Sequence, residues 1–115
     1  MVKIRPYVPD RGDIVWLSFT PQSDHEQSGR RPALVISPKE YNEKTNLAVF
    51  CPVTNQIKEY PFEVKIPDDL EINGVILADQ VKSLDWKTRK AELICRLPKT
   101  VLSETLNKLN VLLGF

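Results

Sequence analysis

Histidine occurs once, at His25, and cysteine twice, at Cys51 and Cys95, in a chain of 115 residues. Neither cysteine belongs to a CxxC spacing and each lies within apolar sequence, so a zinc site is not expected, nor any other resident metal or cofactor. The two thiols leave one disulfide open in principle, but without an export signal the expected state is a pair of reduced, buried thiols in two strands. No apolar run approaches the roughly 20 residues that a bilayer-spanning helix needs. The N-terminus also lacks the apolar core of a signal peptide, which makes the cytoplasm the expected location and leaves no membrane partner. Glycine is scarce at 4 residues, and with 42% hydrophobic and 27% charged residues the composition is that of a globular protein, not a collagen-like or disordered one. One domain spanning 1–115 is expected, with no internal repeat, low-complexity segment or linker.

An excess of charge of either sign is missing too. The formal net charge is +1, which argues against nucleic-acid binding by bulk attraction. The distribution is uneven, however. Residues 82–99 hold six basic side chains against Asp85 and Glu92, whereas residues 59–71 hold five acids against Lys65 alone. A local basic face can attract a polyanion even when the whole chain is nearly neutral. A solvated charged surface fits the same pattern.

Residues 1–12 contain Pro6, Pro9 and Gly12 and read as an extended arm with a turn. Strands are expected over 13–19, 33–37, 47–53, 62–66, 75–78 and 90–97, from β-branched content, alternation and flanking prolines. The third of these is almost too apolar to face water on either side and should be central. Residues 39–46 suit a short helical turn, and 20–32 form the longest polar loop. After Pro98 the period changes, with Leu102, Leu106, Leu109 and Leu113 at helical spacing before Gly114. That stripe is expected to cover the sheet or a neighbouring subunit. Short antiparallel connections and one terminal helix give a mainly β (α+β) fold, a small, strongly curved antiparallel β-barrel.

Three polar clusters fall at strand ends: Glu26-Gln27-Ser28-Gly29-Arg30-Arg31-Pro32, Thr54-Asn55-Gln56, and Asp79-Gln80-Val81-Lys82-Ser83. Gly29 permits unusual backbone angles and Pro32 biases Arg31 toward extended geometry, so its guanidinium can be held at a strand mouth. From this stretch alone the arginines are either anion binders or loop charges, solvated or paired with a carboxylate. In a curved sheet the three strand ends can converge.

Together these segments resemble the toxin family of bacterial toxin–antitoxin modules called MazF, PemK or Kid. The resemblance is carried by Gly12-Asp13-Ile14-Val15-Trp16, the Glu26 to Ala33 stretch, Cys51-Pro52-Val53-Thr54, Tyr60-Pro61-Phe62-Glu63-Val64 and the run from Gly74 to Ser83. Asn110-Val111-Leu112-Leu113-Gly114 is similar to the end of MazF, the nearest branch. The family implies an SH3-like, CcdB/PemK-like barrel that forms homodimers, binds single-stranded messenger RNA along the dimer interface, and is opposed by an acidic antitoxin segment. It also implies a sequence-specific endoribonuclease. Two positions depart from family patterns: Arg30 stands where MazF has histidine, and Leu77 precedes Ala78-Asp79 where Kid has arginine.

RNA cleavage by the 2′-hydroxyl, leaving 2′,3′-cyclic phosphate and 5′-hydroxyl ends, needs a proton acceptor, a stabiliser of phosphorane charge and a donor to the leaving oxygen. No metal is required. The resemblance implies Arg31 for the charge, Thr54 as a hydroxyl on the phosphate or 2′-oxygen, and Glu26 as a general base. Gln27, Ser28, Arg30, Asn55, Gln56, Asp79, Gln80 and Lys82 are the candidate RNA-binding residues. His25 reads as surface decoration. Trp16 and Phe19 are candidates for the RNA groove, with core packing the expectation for Trp16 and core or interface for Trp86. The competing functional readings are a CcdB-like toxin that poisons DNA gyrase by protein contact and a catalytically dead nucleic-acid-binding module.

Overall fold

The computed structural model of the protein describes residues 6–19 and 29–114. Strands β1 (Asp13–Ser18) and β2 (Arg30–Val35) lead to helix α1 (Lys39–Thr45), then β3 (Leu47–Thr54), β4 (Glu63–Lys65), β5 (Val75–Leu77), β6 (Lys82–Asp85), β7 (Glu92–Arg96) and helix α2 (Lys99–Leu113). All ladders are antiparallel, in the order β4-β5-β3-β2-β1-β7 with β6 on β3. This is the small antiparallel β architecture with a C-terminal helix that the sequence predicts. It is barrel-like rather than closed, since no ladder joins β4 to β7 among the described residues.

β3 is central, as its apolar sequence demands. One edge pairs with β2 from Ala33↔Pro52 to Val35↔Phe50; the other pairs first with β6, Leu47↔Asp85 to Phe50↔Lys82, then with β5 at Val53↔Ile76 and Thr54↔Val75. Proline has no N–H to give a ladder. Pro52 sits where the outer edge passes from β6 to β5, and Pro32 lies before the β2–β3 pairing begins. Both prolines therefore occupy openings in the ladders.

Two expectations change. β2 starts at Arg30 instead of residue 33, because Ser18↔Arg30, Leu17↔Arg31 and Trp16↔Pro32 continue the ladder with β1. Residues 82–85, read as part of a polar strand end, form β6, a short edge strand whose polar content is what an exposed edge tolerates.

The sheet buries side chains on both faces, so adjacent strand residues such as Ile14 and Val15 are each fully inaccessible. One cluster gathers Ile14, Leu34, Cys51, Val53, Val64, Ile66 and Ile76 beneath α2; the other gathers Val15, Leu17, Ala33, Val35, Phe50 and Trp86. From α2, Val101, Leu102, Leu106 and Leu109 pack on the first cluster, whereas Leu113 lies 62% exposed beyond the end of the predicted stripe. Cys51, Leu34, Ile14 and Cys95 stand in register across β3, β2, β1 and β7. Three strand spacings of about 4.8 Å, roughly 14 Å measured along the sheet, separate their backbones, so the two cysteines are not neighbours on adjoining strands. Both are free and buried.

A buried polar knot holds the second cluster in place. Asn42 Nδ2 donates to the carbonyls of Pro9 (2.8 Å) and Ser37 (3.0 Å), its Oδ1 accepts from the Ser37 hydroxyl, and its own carbonyl accepts from Trp86 Nε1 at 2.9 Å. Trp86 is accordingly a core residue.

Candidate active site

The register of β2 and β3 runs from 35↔50 to 33↔52; continued by two residues it sets Arg31 across from Thr54. Hydrogen-bonded pairing stops before that point, and a cleft of about 220 Å³ opens between the strand ends. Trp16, Arg31, Pro32, Thr54 and Asn55 line it, with Arg30, Val53, Ile72 and Asn73 completing the wall. Where the strands part, side chains of both sheet faces reach the opening.

Successive strand residues point to opposite faces. The adjacent arginines therefore part. Arg30 donates from Nη1 to Ser18 Oγ (3.1 Å) and from Nη2 to the Lys90 carbonyl (2.9 Å), with Glu92 Oε1 at 3.4 Å. Arg31 is exposed and makes no side-chain hydrogen bond or ion pair among the described residues. Its fork of donors is available to an anion.

Thr54 is held from two sides. Its Oγ1 accepts the Gln56 N–H at 3.1 Å, which leaves the hydroxyl hydrogen for a ligand. Gly74, at φ +118°, lies so close that a Cβ there would meet the Thr54 carbonyl oxygen at 2.3 Å. Only glycine fits that position.

Thr54 also borders a second hollow of about 200 Å³, shared with Gln56, Lys58, Tyr60, Glu63, Leu77 and Gln80. The Tyr60 hydroxyl donates to Asp79 Oδ1 at 2.7 Å, and that carboxylate pushes the phenol up to about 12, keeping it a neutral donor. Glu63 is spoken for, because its carboxylate accepts the backbone N–H groups of Lys58 (2.9 Å) and Glu59 (2.8 Å). Lys82 stands apart from both hollows, with Nζ 5.8 Å from the centre of the Phe19 ring.

Of the residues selected from sequence, Arg31, Thr54, Asn55 and Arg30 meet in one cleft, Gln56 and Gln80 in the adjoining hollow with Asp79 tied to its Tyr60, and Lys82 sits on Phe19. Glu26, Gln27, Ser28 and His25 lie outside the described residues. Trp16, expected in the core, is 36% exposed on the cleft wall. Ile72, Asn73 and Gly74 were not selected; the Asn73-Gly74 pair carries a turn signal, but its approach to Thr54 is tertiary. Cys51, by contrast, is pushed up to about 12 by burial and is no nucleophile. Among the described residues no three His, Cys, Asp or Glu side chains gather in a way that could hold a metal, and no helix is long and apolar enough to cross a membrane.

Comparison with known proteins meets this geometry. The chain is 46% identical over 108 residues to the endoribonuclease toxin MazF of Escherichia coli (strain K12), covering 94% of this chain and 96% of the relative. Its fold matches the crystal structure of MazF from Deinococcus radiodurans with a TM-score of 0.86 at 55% identity, covering 96% of this chain and all of the other. A MazE-MazF crystal structure from the same organism matches with a TM-score of 0.87 at 51% identity, over 96% and 99% of the two chains. Residues 10–113 match the family described as PemK-like, MazF-like toxin of type II toxin-antitoxin system, and the chain belongs to that family.

Proposed function

We propose that this protein, as a single domain over 1–115, is a cytoplasmic toxin that cuts single-stranded messenger RNA at selected sequences without a metal. The observation that carries this reading is the pairing, at the mouth of one cleft, of an exposed arginine with a threonine hydroxyl, neither of whose donors is taken by a partner among the described residues. The relatives named endoribonucleases supply the reaction class.

Arg31 binds the non-bridging oxygens of the scissile phosphate and stabilises the charge that grows on them as the 2′-oxygen attacks phosphorus. Thr54 donates to the same phosphate. The P–O5′ bond breaks, the 2′-oxygen gives up its proton to a base, and the departing 5′-oxygen takes one up. The ends are a 2′,3′-cyclic phosphate and a 5′-hydroxyl. Glu26 is our candidate base. Asn55, Gln56 and Gln80 offer donors and acceptors to base edges near Thr54, with Gln27, Ser28, Asp79 and Lys82 as further contacts. Trp16 and Phe19 supply stacking surface. A second copy of the chain and an acidic antitoxin complete the assembly; MazE-MazF crystal structures of relatives support the antitoxin as partner.

The test is incubation of the purified chain with a single-stranded RNA transcript in excess EDTA, followed by analysis of the new ends. Cleavage to cyclic phosphate and 5′-hydroxyl termini is expected. Intact RNA, or cutting that stops with EDTA, rejects the reading; inhibition of gyrase supercoiling by the same preparation would favour the CcdB-like alternative.

A further inference from the structure

Arg30 and Arg31 both border the cleft, yet the guanidinium of Arg30 is already engaged by three partners from β1, β7 and the turn before β7. Its side chain retains only 19% exposure. The Lys90 carbonyl and the Ser18 hydroxyl are neutral acceptors, and they use donors on two different nitrogens of the fork. Glu92 adds a longer contact and is itself 72% exposed, so the ion pair contributes little. A lysine, a point charge on a flexible stem, cannot reproduce two divergent contacts.

A second arginine grips the main chain at the same place. Arg89 Nη1 donates to the carbonyls of Ser18 and Phe19, both at 3.0 Å, while the Ser18 N–H donates back to the Arg89 carbonyl at 3.0 Å. The end of β1 is thus held at its backbone by Arg89 and at its Ser18 side chain by Arg30. Because Arg30 is the first residue of β2 and Arg31 the second, the clasp on Arg30 fixes the backbone from which Arg31 projects.

We propose that Arg30 is a positioning residue that sets the aim of Arg31, and not a ligand for RNA phosphate. This inference rests on the endoribonuclease reading of the cleft for its rate consequence, but not for its binding consequence. A misplacement of about 1 Å can cost on the order of a hundredfold in rate, whereas a lost phosphate contact lowers the salt dependence of single-strand binding by about 0.7 per contact.

The experiment uses the full chain, an RNA transcript for cleavage, and a short labelled single-stranded DNA of mixed sequence, which has no 2′-hydroxyl to attack, for binding across a salt series. Arg30→Ala is expected to keep the wild-type salt slope and a KM within about threefold, while the rate at saturating RNA falls about 10–100-fold. Arg30→Lys should behave like Arg30→Ala. Ser18→Ala removes a clasp partner without touching any charge, and should lower the saturated rate with an unchanged slope even if Arg30→Ala folds poorly. Arg31→Ala, in contrast, should lose about 0.7 from the slope. Loss of slope in Arg30→Ala, rescue by lysine, or a wild-type rate in Arg30→Ala overturns the proposal. If the wild-type chain cuts no RNA, the endoribonuclease reading fails, and the salt slopes of the four variants alone decide whether Arg30 is a phosphate ligand.

Discussion

Arg30 and Arg31 are identical in chemistry and adjacent in sequence, and a single step along a strand gives them different work. One is enclosed by Ser18, Lys90 and Glu92; the other faces the cleft without a partner among the described residues. Replacing Arg31 with alanine is therefore expected to lower cleavage by about 10³-fold or more, with the unfolding midpoint and the oligomeric state unchanged, as checked by RNA cleavage, thermal melting and sedimentation. Residue spacing made both arginines visible, but nothing in the order of letters shows which fork is already filled. Tyr60 offers a pH test. Its phenol is raised to about 12 by the Asp79 carboxylate that accepts its hydrogen bond, so the proton is held more tightly in the fold than in the unfolded chain. The stability contributed by that bond is complete below about pH 10, the ordinary phenol value, and is lost as pH climbs through the raised value. In a phenolate absorbance titration, Asp79→Ala should bring the Tyr60 midpoint down toward about 10.

At the scale of elements, the long and strongly patterned segments were readable: β1, the central β3, β7 and α2 all lie where periodicity places them. The failures share a cause. Pro32 argued for a loop up to residue 32, but its missing N–H falls where β2 has no β3 partner. Among the described residues β6 pairs with β3 alone, an edge position that tolerates polar side chains, so its pattern resembles a loop. Two substitutions separate site from scaffold. Gly74→Ala brings a Cβ against the Thr54 carbonyl at φ +118°; it should cost roughly 2 kcal/mol or more and also reduce the cleavage rate of the folded protein, because Thr54 must shift. Asn42→Ala strips donors from the Pro9 and Ser37 carbonyls in a fully buried knot. It should cost about 2–4 kcal/mol, while the molecules that remain folded cut RNA at the wild-type rate. Denaturant melts paired with cleavage assays distinguish the two patterns.

For the whole molecule, composition bounded the class and the match of ordered segments along nearly the full chain supplied the family, which no single motif would have done. The convergence of Arg31 and Thr54 depends on the β2–β3 register, a long-range pairing that local propensity does not encode. Part of the basic run at 82–99 turns out to be internal scaffolding, since Arg89 holds carbonyls of β1. Burial of Cys51 and Cys95 predicts that neither thiol reacts with a disulfide reagent at neutral pH until denaturant is added, and the three strand spacings between them predict that oxidants leave no bridge within the chain, as read by mass spectrometry. Cys51 and Cys95 are both raised above the ordinary thiol value, chiefly by burial, which points the same way. The pairing of β1 with β7, from Asp13↔Arg96 to Trp16↔Glu92, has a consequence for biosynthesis. The strand that begins the site's framework finds one of its two neighbours only after some eighty further residues have left the ribosome. A nascent or truncated chain ending before Lys90 has neither the ladder beside β1 nor the Lys90 and Glu92 contacts to Arg30, so a growing polypeptide is expected to spare the message that encodes it until translation is nearly finished.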